Sequence, residues 1–349
     1  MHTMHNVTAA LEELPNVFTA QTAITAGISH HVLRRLVRRH SIIRVQSGVY
    51  RQFPTDEPGP TQERWAWIHR EHIMRASAAL QAHPHHALSH RSAAVVFGWP
   101  VSLHPDEPVH LTALHVEPRS RRAEGKVLHH SDSVINDVVK VDGLQLLTPD
   151  RTVADCLRTM TTANGVAVAD GALRCGATDL LAVEGSLAGM RRWRGRPRAN
   201  AAVRLVDPRR ETWLESFSFV ALHGLGIDLP TPQVEVFDEW GAFVGRVDGM
   251  WIAEGTVAEA DGEGKYLLGT SDGDASGLDA AHRVVAEKVR EDGLRDLGLE
   301  MVRWGTLEIR RSLELTARRV ATARARGDIG RFRGRLRLDG QWINLSEHR

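Results

Sequence analysis

Val244-Gly-Arg-Val-Asp248-Gly-Met-Trp251 and, after a short connection, Thr256-Val-Ala-Glu259-Ala-Asp261-Gly-Glu-Gly-Lys265-Tyr266 form the stretch on which the reading of this chain turns. Both runs are of strand length, are punctuated by apolar residues and carry acids at their ends. Alternation in a strand sends residues i and i+2 to one face. Glu259 and Asp261 therefore share a face, and they point together toward Asp248 if the runs pair as a hairpin. Three converging carboxylates repel one another unless a cation sits between them. Hard oxygen ligands suit Mg²⁺, which is held through one or two carboxylates plus a substrate phosphate. A cation so placed polarises a phosphodiester and activates water, so metal-dependent phosphodiester hydrolysis is the expected chemistry.

Asp248, Glu259-Ala-Asp261-Gly262, Lys265-Tyr266 and the later Glu287-Lys288-Val-Arg290 resemble the PD-(D/E)XK nuclease fold, in the branch related to very-short-patch-repair endonucleases that is common among actinobacteria. The resemblance runs from about Glu211 to Ile309. It implies an α/β core with Asp248, Glu259, Asp261 and Lys265 as catalytic residues and Mg²⁺ as cofactor. The metal would sit on Asp248, Glu259 and a glutamate of the first helix, Glu211 or Glu215, with Glu215 preferred. The family usually has Lys two residues after the second acid, where this chain has Asp261, and Lys265 would supply the ammonium from a neighbouring position. Lys288 or Arg290 would approach the scissile phosphate. The plain alternative is ordinary helical pairing with Glu287 and Glu291.

The chain has 349 residues, of which 42% are hydrophobic and 25% charged. That is a soluble globular composition for two or three domains. No apolar run approaches a membrane span, and Met-His-Thr-Met-His-Asn-Val lacks the apolar core of a signal peptide. No membrane partner is expected, and a cytoplasmic location is. Cys156 and Cys175 have no ligand spacing and read as buried small hydrophobes. The formal net charge of +1 hides segregation: basic residues collect at 34–51, 191–210 and 318–337, and acids dominate 254–300. Arginine clusters outside an acidic site fit a protein that tracks phosphates, and solvated helix faces give similar runs.

Residues 6–53 read as a compact module. Helices are expected over about Val7–Leu14, Phe18–Ala26 and His30–His40, with Gly27 in the turn and Ser29 as N-cap. Val32, Leu33, Leu36 and Val37 fall on one face of the third helix, and Arg34, Arg35, Arg38 and Arg39 on the other. A hairpin follows, Ile42–Val45 and Val49–Arg51, which makes a winged helix-turn-helix. With Arg44 and Gly48-Val-Tyr50 in the wing, the segment resembles the N-terminal domain of AbiEi antitoxins of type IV toxin–antitoxin systems. That likeness implies double-stranded DNA as partner. Ser29, His30, His31, Arg34, Arg35 and Arg38 would face the groove, and Arg44 and Arg51 the phosphates. It also brings in a nucleotidyltransferase-like toxin as a possible second partner. The alternative is a solvated arginine face on a module that binds protein.

Pro54–Pro60 reads as a linker, Gln62–Ala82 as a long helix, and Ala87–Trp99 as a helix stopped by Gly98. Val109–Thr112 and Lys126–His130 are expected strands, and Thr148-Pro149 opens a further helix. Ser89–Ala94, Val109–Thr112 and Thr148–Thr152 resemble the region that follows the AbiEi winged helix, extending the likeness to about residue 185. His83, His85, His86, His90, His129 and His130 lack helical metal-ligand spacing with a carboxylate and read as surface or core histidines. Arg151 and Asp155 read as an intrahelical pair. No active site is expected here. Met190–Arg198 reads as an exposed basic connection, a path for a nucleic-acid backbone or a solvated strap.

The expected architecture is multidomain α/β. A winged helix-turn-helix spans 1–54, an α+β domain 61–188 and a basic linker 189–210. A restriction-endonuclease-like α/β domain spans 211–312, and an Arg-rich helix and tail 313–349. Two functions fit it. The first is a DNA-binding, metal-dependent endonuclease; the second is an antitoxin-like transcriptional regulator with an inactive nuclease fold.

Overall fold

A computed structural model describes residues 7–347, apart from residues 8, 16, 47, 53–60, 116–120, 124–125, 130–136 and 262–276. Three sheets with helices packed on them make the chain mixed α/β. It divides into two units, Met1–Thr159 with Ala177–Arg196, and Met160–Gly176 with Pro197–Arg349.

In the first unit β1 (Val17–Thr19), β2 (Ile42–Gln46) and β3 (Val49–Gln52) form a sheet ordered β1-β3-β2. Phe18 lies in β1 and does not open a helix. Thr19 is extended, and its hydroxyl accepts from Thr22 N–H at 3.0 Å, so the helix Ala20–Thr25 starts only after it. Gly27, at φ 83°, makes the turn toward the helix His30–Arg38, which Ser29 caps. Leu33 points inward onto Phe18, Ile28, Ile42 and Tyr50.

The helix Thr61–Ala82 belongs to the same body. Arg51 Nη1 donates to Glu71 Oε1 at 2.6 Å in a buried pair, and Val17, Val49 and Ala78 share an apolar cluster. The separation expected between residues 54 and 61 is therefore bridged by packing.

A second sheet in this unit is ordered β6-β7-β5-β4-β9-β8. Its strands are β4 (His86–Leu88), β5 (Val109–Ala113), β6 (Arg121–Ala123), β7 (Lys126–His129), β8 (Val138–Val141) and β9 (Leu144–Leu147). The helix expected from Ala87 begins later, because His86–Leu88 pairs with β5. It runs over His90–Val96, with Gly98 at φ 77° behind it. The helices Pro149–Thr159 and Leu180–Gly189 pack together, and the first also packs on His90–Val96.

The second unit is built on a sheet ordered β13-β12-β11-β10-β14-β15. The strands are β10 (Thr231–Asp238), β11 (Phe243–Trp251), β12 (Thr256–Asp261), β13 (Glu300–Gly305), β14 (Gly334–Leu338) and β15 (Gln341–Trp342). On one face the helices Trp213–His223 and Leu313–Arg326 bring Leu214, Phe219 and Val320 onto Ala258, Ala260 and Trp304. On the other the helix Gly277–Asp296 sets Leu294 against Val236, Met250 and Val257. Each of these Leu, Val, Phe and Met side chains contributes roughly 1.5–3 kcal/mol on burial.

Three sequence expectations are corrected in this unit and at its borders. The basic linker expected over 189–210 holds a helix, Arg196–Val203, which buries Ala199, Ala202 and Val203. The tail expected after the helix Leu313–Arg326 is ordered into the sheet, since β14 pairs with β10, Val236 opposite Leu336, and Arg337 Nε donates to Glu235 at 2.6 Å. Cys175, read as buried, is exposed, while Cys156 is buried. The helix Thr162–Arg174 packs on Trp213–His223, and Trp213 Nε1 donates to Asn164 Oδ1 at 3.1 Å. Among the described residues no helix is long and apolar enough to cross a membrane.

Candidate functional site

β11 and β12 pair antiparallel, with Gly249 opposite Ala258 and Met250 opposite Val257. Val257 belongs to the core under the helix Gly277–Asp296, and Ala258 and Ala260 to the opposite one. Strand alternation therefore turns Glu259 and Asp261 toward that helix. Asp248 is 8% exposed and Glu259 2%. Asp248 Oδ2 accepts from Ala260 N–H at 2.8 Å, which ties the two acid-bearing strands together. Gly249 is required beside it, because a Cβ there would lie 2.8 Å from Phe219 Cζ.

Guanidinium groups stand next to these acids. Arg290 Nη1 is 3.1 Å from Glu259 Oε1, and Arg303 Nε is 3.0 Å from Asp261 Oδ2. Glu287 bridges the two arginines, with Oε1 at 2.7 Å from each. The series Glu259–Arg290–Glu287–Arg303–Asp261 alternates in sign. The hydrogen bond from Arg290 leads in holding the Glu287 carboxyl down, to about 2. Burial opposes the Arg290 charge, but its bonds to Glu287 and Glu259 outweigh it and raise its pKa. Of Lys288 and Arg290, it is Arg290 that reaches the carboxylates, while Lys288 is exposed. Lys265 lies outside the described residues.

Glu215 has a different occupation from the one expected. Thr212 is the N-cap of the helix Trp213–His223, and its side chain accepts from Glu215 N–H at 3.1 Å. Glu215 in return accepts from Glu211 N–H, Thr212 Oγ1 and Gln233 Nε2, each at 2.9 Å. This reciprocal capping satisfies helix-end donors that would otherwise be buried unpaired. Glu211 pairs with Arg246 at 2.9 Å. Glu215, Asp248 and Glu259 do not converge as a group with ligand atoms within 4.8 Å of one another; among the described residues only His90, His110 and His129 do.

Of the residues expected to face DNA, Ser29, His30, His31, Arg34, Arg38 and Arg44 are exposed and Arg35 is half-buried. His31, Arg34, Arg38 and Arg44 line a groove of about 520 Å³ with Val37 and Tyr50. Arg51 does not belong with them. It is 8% exposed and committed to Glu71.

A second concave site, which sequence reasoning missed, lies in the first unit. A cavity of about 560 Å³ is lined by His90, Thr112, His129, Arg151, Arg158 and Trp193 together with Arg191, Arg192 and Arg194. β5 and β7 are neighbours, so His110 and His129 meet, Nδ1 to Nε2 at 2.9 Å. His90 stacks on His129 with ring centroids 3.8 Å apart. Buried Asp155 binds Arg151 Nε at 3.1 Å and Arg158 Nη2 at 2.7 Å. Burial first, then neighbouring histidines and arginines, keep His90 well below the usual imidazole range. Burial likewise brings His129 down to about 4. Both rings are neutral at pH 7. Sequence spacing could not reveal this group, because sheet pairing and not helical periodicity brings it together.

No protein-family model matches the chain, and a search of curated proteins finds no match either.

Proposed function

We propose that the chain is a DNA-binding protein that hydrolyses phosphodiesters with a divalent cation. In this reading its second unit has the PD-(D/E)XK layout and its N-terminal module is a winged helix-turn-helix. The observation that carries the reading is one pair of buried carboxylates, Asp248 and Glu259, on neighbouring strands within a helix–strand–strand–strand–helix–strand run. Two carboxylates buried on adjacent strands cost free energy unless positive charge compensates them, and a divalent cation would supply it. The donor set is carboxylate oxygen alone, which fits Mg²⁺ and not a soft metal. Asp248 and Glu259 would hold the ion, with Asp261 nearby and Lys265 as the source of an ammonium. When bound, the cation polarises the phosphodiester and acidifies a water. Arg290 would meet the phosphate from the helix side, and Arg303 would keep Asp261 oriented. The exposed Arg34, Arg38 and Arg44 would follow phosphates of the duplex, with affinity falling as salt rises.

A second reading is favoured by the ion pairs themselves. Glu259 and Asp261 already have Arg290 and Arg303 beside them, as in a scaffold that has exchanged metal for guanidinium. The protein would then be an antitoxin-like regulator, with a nucleotidyltransferase-like toxin as partner.

Supercoiled plasmid and mismatched duplexes incubated with Mg²⁺, Mn²⁺ or EDTA separate the two. Metal-dependent nicking lost in both Asp248→Asn and Glu259→Gln supports the nuclease. Salt-sensitive duplex binding without cleavage, unchanged by either substitution, leaves the regulator.

A further inference from the structure

We propose that the cavity of the first unit binds a phosphate monoester, carried either by a free nucleotide or by the terminal phosphate of a DNA strand. The inference is independent of the carboxylates of the second unit.

Three short sequence motifs far apart in the chain each contribute a residue to this cavity: Ser89–Ala94 gives His90, Val109–Thr112 gives Thr112, and Thr148–Thr152 gives Arg151. Five arginines line it and, among the described residues, no carboxylate does. Of the acids on these arginines, Asp137 meets Arg151 Nη1 at 3.4 Å, and Asp155 is fully buried behind Arg151 and Arg158. Two guanidinium groups are thus held in fixed orientation by a carboxylate that does not itself face the cavity, the arrangement that planar recognition of phosphate oxygens requires. Trp193 reinforces them, its ring 4.8 Å from the Arg151 guanidinium carbon and 4.9 Å from that of Arg158. Gly195, at φ 86°, passes so close to the Arg158 carbonyl that a Cβ would overlap it. The basic loop is thereby pinned against the cavity.

Two further observations point to a ligand. Thr112 Oγ1 is buried and meets no hydrogen-bond partner among the described residues, so a hydroxyl donor waits in the wall at a cost of roughly 1–3 kcal/mol. His90 is in the left-handed region at φ 53°, a strain of the kind that persists where a site over-determines the backbone.

A metal ion is the competing occupant of the three histidines, and the surroundings oppose it. The ring nitrogens of His110 and His129 already bond each other at 2.9 Å. His90 and His129 stack face to face, and Arg158 Nη2 stands 3.4 Å from His90 Nε2. The positive potential that repels a cation here attracts an anion. The volume of about 560 Å³ exceeds what inorganic phosphate fills and lies in the range of nucleotide-sized pockets.

Titration calorimetry on the full chain tests this. The probes are inorganic phosphate, a 5′-mononucleotide beside its nucleoside, and a short oligonucleotide bearing a 5′-phosphate beside its 5′-hydroxyl form. Binding of a phosphorylated probe and not of its unphosphorylated counterpart is expected, and which pair responds identifies the source. The double substitution Arg191→Gln with Arg192→Gln, on exposed positions, and the near-isosteric Thr112→Val should each weaken binding about tenfold without lowering thermal stability. Failure of every phosphorylated probe to bind at millimolar concentration overturns the proposal, as does equal affinity for the 5′-hydroxyl oligonucleotide. Affinity unchanged in both variants also overturns it. So does a chelator-resistant zinc complex that His110→Gln abolishes, because the same imidazoles would then serve a cation.

Discussion

Arg290 Nη1 lies 3.1 Å from Glu259 Oε1, and the same guanidinium holds Glu287 at 2.7 Å. The Glu259 side chain is 3% exposed, so it depends on a positive neighbour. Arg290→Leu is expected to cost about 3 kcal/mol, the scale of a buried pair broken on one side. Adding Glu259→Leu should recover most of the loss, because both charges are then gone. Urea midpoints of the single and double variants measure this directly.

Glu215→Gln separates a cap from a metal ligand. Among the described residues, Glu211 N–H, Thr212 Oγ1 and Gln233 Nε2 all donate to the carboxylate. A carboxamide would turn its own N–H₂ against one of them. The expected result is a loss of about 1–3 kcal/mol in unfolding free energy with metal affinity, measured by Mn²⁺ titration, unchanged.

Acid should weaken the first unit before the second. His72 is fully buried, its Nε2 2.8 Å from Ser92 Oγ. Burial above all, then the charge of Arg75, lowers its pKa to about 3. The unfolded chain therefore takes up a proton near pH 6.5 that the folded unit refuses. Stability is complete above that value and falls as pH drops from about 6.5 toward 3, by about 2 kcal/mol at about pH 5 from this residue alone. His129, brought down to about 4, acts in the same direction. Glu287 in the second unit is depressed to about 2; its contribution is present above the ordinary carboxylate range and disappears only as pH falls through that value. Calorimetric scans from neutral to mildly acid pH should show the first unit's transition moving down first, and less so in His72→Gln.

If the N-terminal module follows DNA phosphates, Arg34→Gln with Arg38→Gln should reduce the slope of log affinity against log salt by about 2, read from fluorescence anisotropy of a labelled duplex. Arg51→Gln should behave differently. Its partner is Glu71 in a buried pair, so the melting temperature falls while the salt slope holds.

Elements whose periodicity is local could be read in the sequence. β11 and β12 were legible from the alternation around Asp248 and Glu259, and Ser29 announced the helix His30–Arg38. What depended on non-local pairing was not. Phe18 looks helical beside Thr-Ala-Gln-Thr-Ala, yet its strand is fixed by Tyr50 across the sheet. β14 has no signal of its own apart from β10. Arg51 and Glu215 looked like site residues because charge is conspicuous in a sequence, whereas their buried partners are not. His90, His110 and His129 meet through strand order, which spacing cannot reveal.

The helix Thr162–Arg174 is counted with the second unit although Ala177–Arg196, which follows it, returns to the first. Its apolar side, including Val166, Ala167 and Val168, is buried. During synthesis that side leaves the ribosome before Trp213–His223, on which it packs, and must wait for it. Heredity meets the same interleaving. A recombination breakpoint anywhere between residues 160 and 196 gives each descendant an incomplete copy of a unit, so the halves of this gene are constrained to travel together.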